Sequence, residues 1–185
     1  MVKALEDYRI TEMSLNDCSV FALTETGTVF ACGSGSFGRL GFGTNDSAME
    51  FTHVALLDRH RVVSLSAGYY HSGVVTDTGR LLTFGDGDTF KLGLSPPTLS
   101  TNPPAQMVPT VVSALSAEHV TCCAMGKEYS LVVTSDGALY GLGSNSYGVL
   151  GLPETSMVKA VRLAWLKHLF CVFRYCRGLV GEWRG

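Results

Sequence analysis

Charge is scarce in this chain, and nowhere is a long stretch purely apolar. Only 16% of its 185 residues are charged. No run of 18 apolar residues occurs, so no membrane-spanning helix is expected. Six cysteines (18, 32, 122, 123, 171 and 176) form no C-x-x-C pair and no zinc-ligand spacing, which leaves no expected metal. The stretch from Met1 to Glu12 carries Lys3, Glu6, Asp7 and Arg9 and lacks an apolar h-region. No signal peptide is therefore expected, and free thiols fit a reducing intracellular, cytoplasmic setting, with the cilium or nucleus as variants. A basic surplus is missing from most of the chain. Residues 1–156 hold 8 Lys/Arg against 15 Asp/Glu, whereas residues 157–185 hold 6 against 1. Nucleic-acid binding by the body is thereby disfavoured.

Glycine, by contrast, is plentiful, with 21 residues, and 46% of the chain is apolar. That balance suits a folded all-β chain full of tight turns. The glycines are also in register. Gly27, Gly79 and Gly137 are each followed six residues later by Gly33, Gly85 and Gly143, and eight residues after that by Gly41, Gly93 and Gly151. A pattern kept three times over marks internal repeats.

Each repeat reads as four short strands. In the first, residues 9–16 alternate, 19–24 are nearly continuous apolar, 28–32 return after the turn at Gly27, and 51–57 close the unit. The second runs 62–68, 71–76, 80–84 and 107–112; the third runs 120–126, 129–134, 138–142 and 158–163. Leu40, Leu92 and Leu150, each held before a glycine, are expected to plug inward. Four antiparallel strands per fifty-odd residues is the arithmetic of a propeller blade. The copies differ in places. Positions 38 and 148 are Gly but 90 is Phe, so the second loop is expected to take a different path. The expected repeats are 9–57, 62–112 and 119–163 within a body of residues 1–163, followed by a divergent tail at 164–185. Across the start of that tail and into it, Val161, Trp165, Leu169 and Val172 or Phe173 share a helical face beside Arg162, Lys167, Arg174 and Arg177. One reading is a basic helix contacting membrane; the other is a cap on the last blade or a tail unrelated to the fold.

The strings Gly68-Tyr69-Tyr70-His71-Ser72, Thr76-Asp77-Thr78-Gly79, Thr83-Phe84-Gly85 and Lys91-Leu92-Gly93 resemble the regulator of chromosome condensation 1 (RCC1) repeat. Ser135-Asp136-Gly137-Ala138-Leu139-Tyr140 and Gly143-Ser144-Asn145 through Gly148-Val149-Leu150-Gly151 match it more fully, and the likeness covers about residues 10–163. Where that family has Gln before its Leu-Gly pair, this chain has Arg39, Lys91 and Val149. Its histidine is kept once, at His71, opposite Ser19 and Tyr129. Within the family, Thr83 to Gly87, Lys91 to Leu94 and the proline-rich segment after them look most like the retinitis pigmentosa GTPase regulator branch. The resemblance implies an all-β, partial β-propeller of about three four-stranded antiparallel blades. Because the family's ring has seven blades, it also implies either a fragment or truncated form of a larger propeller, which the break after Leu163 favours, or a ring completed by association. Its implied role is a non-enzymatic scaffold for protein partners, a small GTPase or its regulators or scaffold proteins; the alternative is guanine-nucleotide exchange on a Ran-like GTPase.

The residues give catalysis little support. Gly33-Ser34-Gly35-Ser36-Phe37-Gly38 matches a dinucleotide loop, but no helix signal follows it, so repeat glycines explain it and no cofactor is expected. His71-Ser72 lacks a nucleophile elbow, and turn chemistry accounts for Asp77 and Asp136. No small-molecule substrate follows from this. Candidate contact residues lie where the copies vary, at Asn45, Asp46 and Glu50 in the segment 43–50, and at Pro96, Pro97, Asn102 and Pro103 in the segment 94–106.

Overall fold

The computed structural model describes residues 3–94, 104–153 and 157–165. They form three four-stranded antiparallel sheets, each in sequence order. Blade 1 is Ile10–Leu15 (β1), Ser19–Thr24 (β2), Val29–Gly33 (β3) and Ala48–His53 (β4). Blade 2 is Val62–Ala67 (β5), His71–Thr76 (β6), Leu81–Gly85 (β7) and Gln106–Val111 (β8). Blade 3 is Val120–Met125 (β9), Tyr129–Thr134 (β10), Ala138–Ser144 (β11) and Met157–Trp165 (β12). This is a portion of a β-propeller, all-β throughout the described residues.

Local chemistry sets each blade. The middle turns use a threonine to hold the corner: Thr28 N donates to Thr24 Oγ1 at 3.0 Å, and Arg80 N to Thr76 Oγ1 at 3.1 Å. All nine framework glycines, from Gly27 to Gly151, have positive φ, a region that side chains penalise. At Gly85 a Cβ would also stand 2.6 Å from His71 Cα, inside the neighbouring turn.

The blades stack through continuous apolar cores. Phe21, Leu23 and Val29 of blade 1 meet Leu65, Val74 and Phe84 of blade 2, with the rings of Phe21 and Phe84 edge-on at 6.3 Å. Val75, Leu81 and Leu115 continue the core into Val120, Cys123 and Val132 of blade 3. Leu40, Leu92 and Leu150 are all buried. Each such side chain contributes about 1.5–3 kcal/mol of transfer free energy, so the stacking rather than any single sheet holds the body together.

Three expectations need correction. The first blade closes with β4 at 48–53, and Ala55–Leu57 is a 3-10 turn that buries Leu57. Glu50 therefore lies within β4, not in a loop. Second, Phe90 does not send its loop on a different path. The turns 36–38 and 88–90 share one conformation, with Phe37 at φ 63, ψ 9 matching Thr89 at φ 61, ψ 12, and Phe90 takes φ 62 where Gly38 takes 76. The fold imposes the backbone, and Phe90 carries strain of order 1–3 kcal/mol. Third, Val161 and Trp165 belong to β12, paired with β11 as Gly141↔Val161 and Ala138↔Trp165, so no helical face begins there. The remainder of the tail, 166–185, lies outside the described residues.

Candidate partner interface

One end of the body carries the turns β1–β2, β5–β6 and β9–β10 together with the long third-to-fourth-strand loops. Two seams between blades reach the surface at this loop end, and a cation sits in each. At the first, Arg39 is buried. Its Nε donates to Ser36 O at 3.0 Å and its NH1 to Tyr69 O at 2.8 Å. The guanidinium lies over the Tyr70 ring, 5.2 Å from the centroid, and Ser72 Oγ donates to Arg39 O at 2.9 Å.

At the second seam, Lys91 is fully buried. Its Nζ donates to Asp86 Oδ2 at 2.6 Å and to Glu128 Oε2 at 3.1 Å. Ser130 Oγ donates to Lys91 O at 2.7 Å and lies 2.7 Å from His71 Nε2. Since the Ser130 proton is committed to Lys91 O, the imidazole must donate, which assigns the Nε2–H tautomer. His71 Nδ1 is buried without a partner. Burial, then the Lys91 charge, lowers the His71 pKa to about 3, so the ring stays neutral. The cluster has a neutral histidine, a committed serine and a lysine held in ion pairs with two carboxylates. Nothing in it is poised as a nucleophile or a base.

The exposed part of the loop end is aromatic. Phe37 and Tyr69 are each more than a third exposed. Phe37 packs edge-on against Tyr70 at 5.6 Å, and Tyr70 against Tyr69 at 4.5 Å. Lys127 Nζ lies 5.7 Å from the centroid of the Tyr69 ring. Asn45 and Asp46 sit beside this patch in an exposed loop, with Ser47 Oγ accepting from Gly35 N at 3.2 Å. Pro96, Pro97, Asn102 and Pro103 lie outside the described residues. The sequence shows the loop and marks Arg39 and Lys91 as departures from the repeat, but not the aromatic patch or the burial and partners of the two cations. The available signal was a charged residue directly before the leucine at Leu40 and Leu92. Among the described residues no group of three His, Cys, Asp or Glu could hold a metal, and no helix is long and apolar enough to cross a membrane.

Models of the regulator of chromosome condensation (RCC1) repeat match residues 26–75 and 62–89. "Probable E3 ubiquitin-protein ligase HERC3" of Homo sapiens is 32% identical over 171 residues, which is 90% of this chain and 16% of that protein. The ultraviolet-B receptor UVR8 of Arabidopsis thaliana is 30% identical over 150 residues, 81% of this chain and 33% of the receptor. The chain thus spans a third or less of these relatives. Yeast RCC1 (Prp20), solved bound to Kap60, superposes with a TM-score of 0.73 at 22% identity over 84% of this chain and 37% of its own. A second structure of it, from Saccharomyces cerevisiae, gives 0.71 at 23% over 84% and 38%, and is described with binding to Gsp1p and histones. With its glycine register, its buried plug leucines and these matches together, the chain belongs to the RCC1-repeat family.

Proposed function

We propose that this chain is a non-enzymatic protein-binding scaffold whose loop end, around Phe37, Tyr69, Tyr70 and Asp46, contacts a small GTPase or one of its regulators. The observation that carries this reading is the exposed aromatic patch fixed on the first seam. Aromatic rings held rigid by their own scaffold supply contact area at low entropic cost, which is the make-up of interface anchors. Support for the partner class comes from the yeast relative described with Gsp1p. An intracellular setting goes with that partner.

Binding of a purified Ran-type GTPase, in nucleotide-free, GDP and GTP forms, to immobilised chain tests this reading. Micromolar binding weakened at least tenfold by Tyr69→Ala and by Asp46→Lys is expected. No binding in any nucleotide state would overturn it. The same yeast relative motivates the exchange-factor alternative, and the two readings separate in a nucleotide-release assay: a pure scaffold leaves the rate unchanged, whereas an exchange factor accelerates it.

A further inference from the structure

The end of the body opposite the loop end carries the β2–β3 and β6–β7 turns and the links from each blade to the next. At the first seam, the β2–β3 turn and the link after β4 enclose a cavity of about 200 Å³. Val29 and Leu57 form its apolar wall, and Thr26, Thr28, His60 and Arg61 line it with polar groups. Its cations are uncompensated. The Arg61 stem lies on the turn, so close that a Cβ at Gly27 would stand 2.5 Å from Arg61 Cγ. Among the described residues its guanidinium donates only to Glu25 O, at 3.4 Å, and the His60 imidazole has no partner. The carboxylates beside them are engaged by other cations. Glu25 Oε2 lies 3.8 Å from Arg9 Nη1, and Asp58 Oδ1, which also lines the cavity, lies 2.7 Å from His53 Nε2. The threonines add a donor. Thr26 Oγ1 lies 2.9 Å from Thr24 Oγ1 and 3.2 Å from Thr28 Oγ1. Two bonds among three hydroxyls leave one proton over, and a chain running from Thr24 to Thr28 delivers it at the cavity.

The second seam shows what these positions do when they serve only the fold. Glu118 stands where His60 does, and its Oε1 accepts from Tyr140 Oη at 2.9 Å. The residue of blade 2 that matches Tyr140 is Leu82, so His60 has no such bond to make. His119 stands where Arg61 does and lies on Gly79, with Nδ1 2.3 Å from where a Cβ would be. Ala117 replaces Arg59. The hydroxyl chain ends at Thr78, because Arg80 follows where Thr28 extends the first. The run Arg59-His60-Arg61 and the third hydroxyl therefore belong to the first seam alone.

We propose that this cavity binds a phosphate monoester, carried on a phosphorylated serine or threonine of a partner protein. The planar fork of Arg61 matches two phosphate oxygens, and the His60 ring and the Thr28 hydroxyl supply donors for a third. Val29 and Leu57 receive the carbon that bears the phosphate. The volume lies below the roughly 300–1,000 Å³ of pockets that enclose drug-sized ligands, which excludes a whole nucleotide. Glu25, Asp58 and Asp77, the last bonded through its N–H to Arg61 O at 2.9 Å, flank the cations. Such a border repels an extended polyanion, nucleic acid or anionic membrane, and admits one phosphate between neutral or basic side chains.

Titration of the full chain with O-phosphoserine, inorganic phosphate and plain serine, followed by amide NMR shifts, tests the site. Saturable shifts confined to 24–28 and 57–61 are expected with both phosphates and not with serine. Arg61→Gln should weaken binding at least tenfold, the loss of a charge-assisted pair. His60→Gln, which breaks no contact of the fold, should weaken it too, whereas His119→Gln at the second seam should leave it unchanged. A random library of phosphoserine and phosphothreonine peptides on beads should retain the chain, and phosphatase treatment or Arg61→Gln should abolish retention. No saturable shift, or binding indifferent to Arg61→Gln and His60→Gln, overturns the site. Inorganic phosphate bound without retention by the peptides, or tighter binding to a DNA duplex or to phosphatidylserine vesicles, overturns the phosphorylated partner.

Discussion

At the first seam Arg39 stacks on a tyrosine and donates to two carbonyls; at the second, Lys91 sits between two carboxylates. The backbone around them is the same to within about 15°, from Gly35 at φ −89 and Gly87 at φ −91 to Arg39 and Lys91, both at φ −61. One scaffold therefore accepts two solutions to the same problem, a buried cation. Arginine spreads its charge over a planar fork and tolerates carbonyls and a ring face. The lysine charge is compact, and its burial demands compensating carboxylates. The second seam is consequently the more brittle, because removing its cation strands Asp86 and Glu128.

Substitution of the two cations should break the comparison most sharply. Lys91→Met is expected to destabilise by about 3–5 kcal/mol, reduced towards the lower end because Glu128 is partly solvated. Arg39→Met should cost about 1–3 kcal/mol, the loss of hydrogen bonds and stacking without a stranded charge. Urea denaturation of both variants decides this, and equal losses would show that the carboxylates add no penalty. The serines repeat the contrast on a smaller scale. Ser130→Ala leaves His71 Nε2–H and Lys91 O unpaired, costing about 2–4 kcal/mol, against about 1 kcal/mol for Ser72→Ala, which frees one carbonyl.

Acid should then distinguish the seams, since only the second buries a histidine beside its cation. The folded-state pKa of His71, about 3, lies below its ordinary value of 6.5. The unfolded chain therefore binds the proton first as pH falls. Stability is untouched above pH 6.5 and declines between 6.5 and 3, by about 1.4 kcal/mol per pH unit for one full proton. Thermal melts from pH 7 to 4 should lose most of this slope in His71→Asn. The smallest effect concerns the loops. Phe90→Gly relieves a positive φ and should gain about 0.5–1 kcal/mol. Gly38→Ala should lose more than that, because its Cβ would stand 2.6 Å from Met107 Cα.

Much of this fold was legible in the sequence because glycine marks it. The strands Ser19–Thr24, His71–Thr76 and Tyr129–Thr134 fall where apolar runs before Gly27, Gly79 and Gly137 place them. The last element of blade 1 was less legible. Val54 to Leu57 reads as strand because it is apolar, yet it is apolar because a 3-10 turn buries Leu57; a short apolar run does not reveal its period. Arg39 and Lys91 were visible as departures from the repeat. Their partners were not, since Tyr70 and Glu128 lie 31 and 37 residues further on and only stacking brings them close. Phe90 was misread because residue preference was taken to decide the path, whereas the surrounding blade decides it.

The strand order of every sheet is also its order in the chain. Each hairpin can zip from its own turn, and no strand waits for a distant segment before its ladder is complete. Such a molecule can gain structure stepwise while it is being synthesised, blade 1 serving as the template on which blade 2 condenses. The same locality carries a hazard. Because the blades share one backbone plan, the growing body can select the wrong neighbour, and the unlike cations at Arg39 and Lys91 give each seam a distinct address that keeps the blades in order.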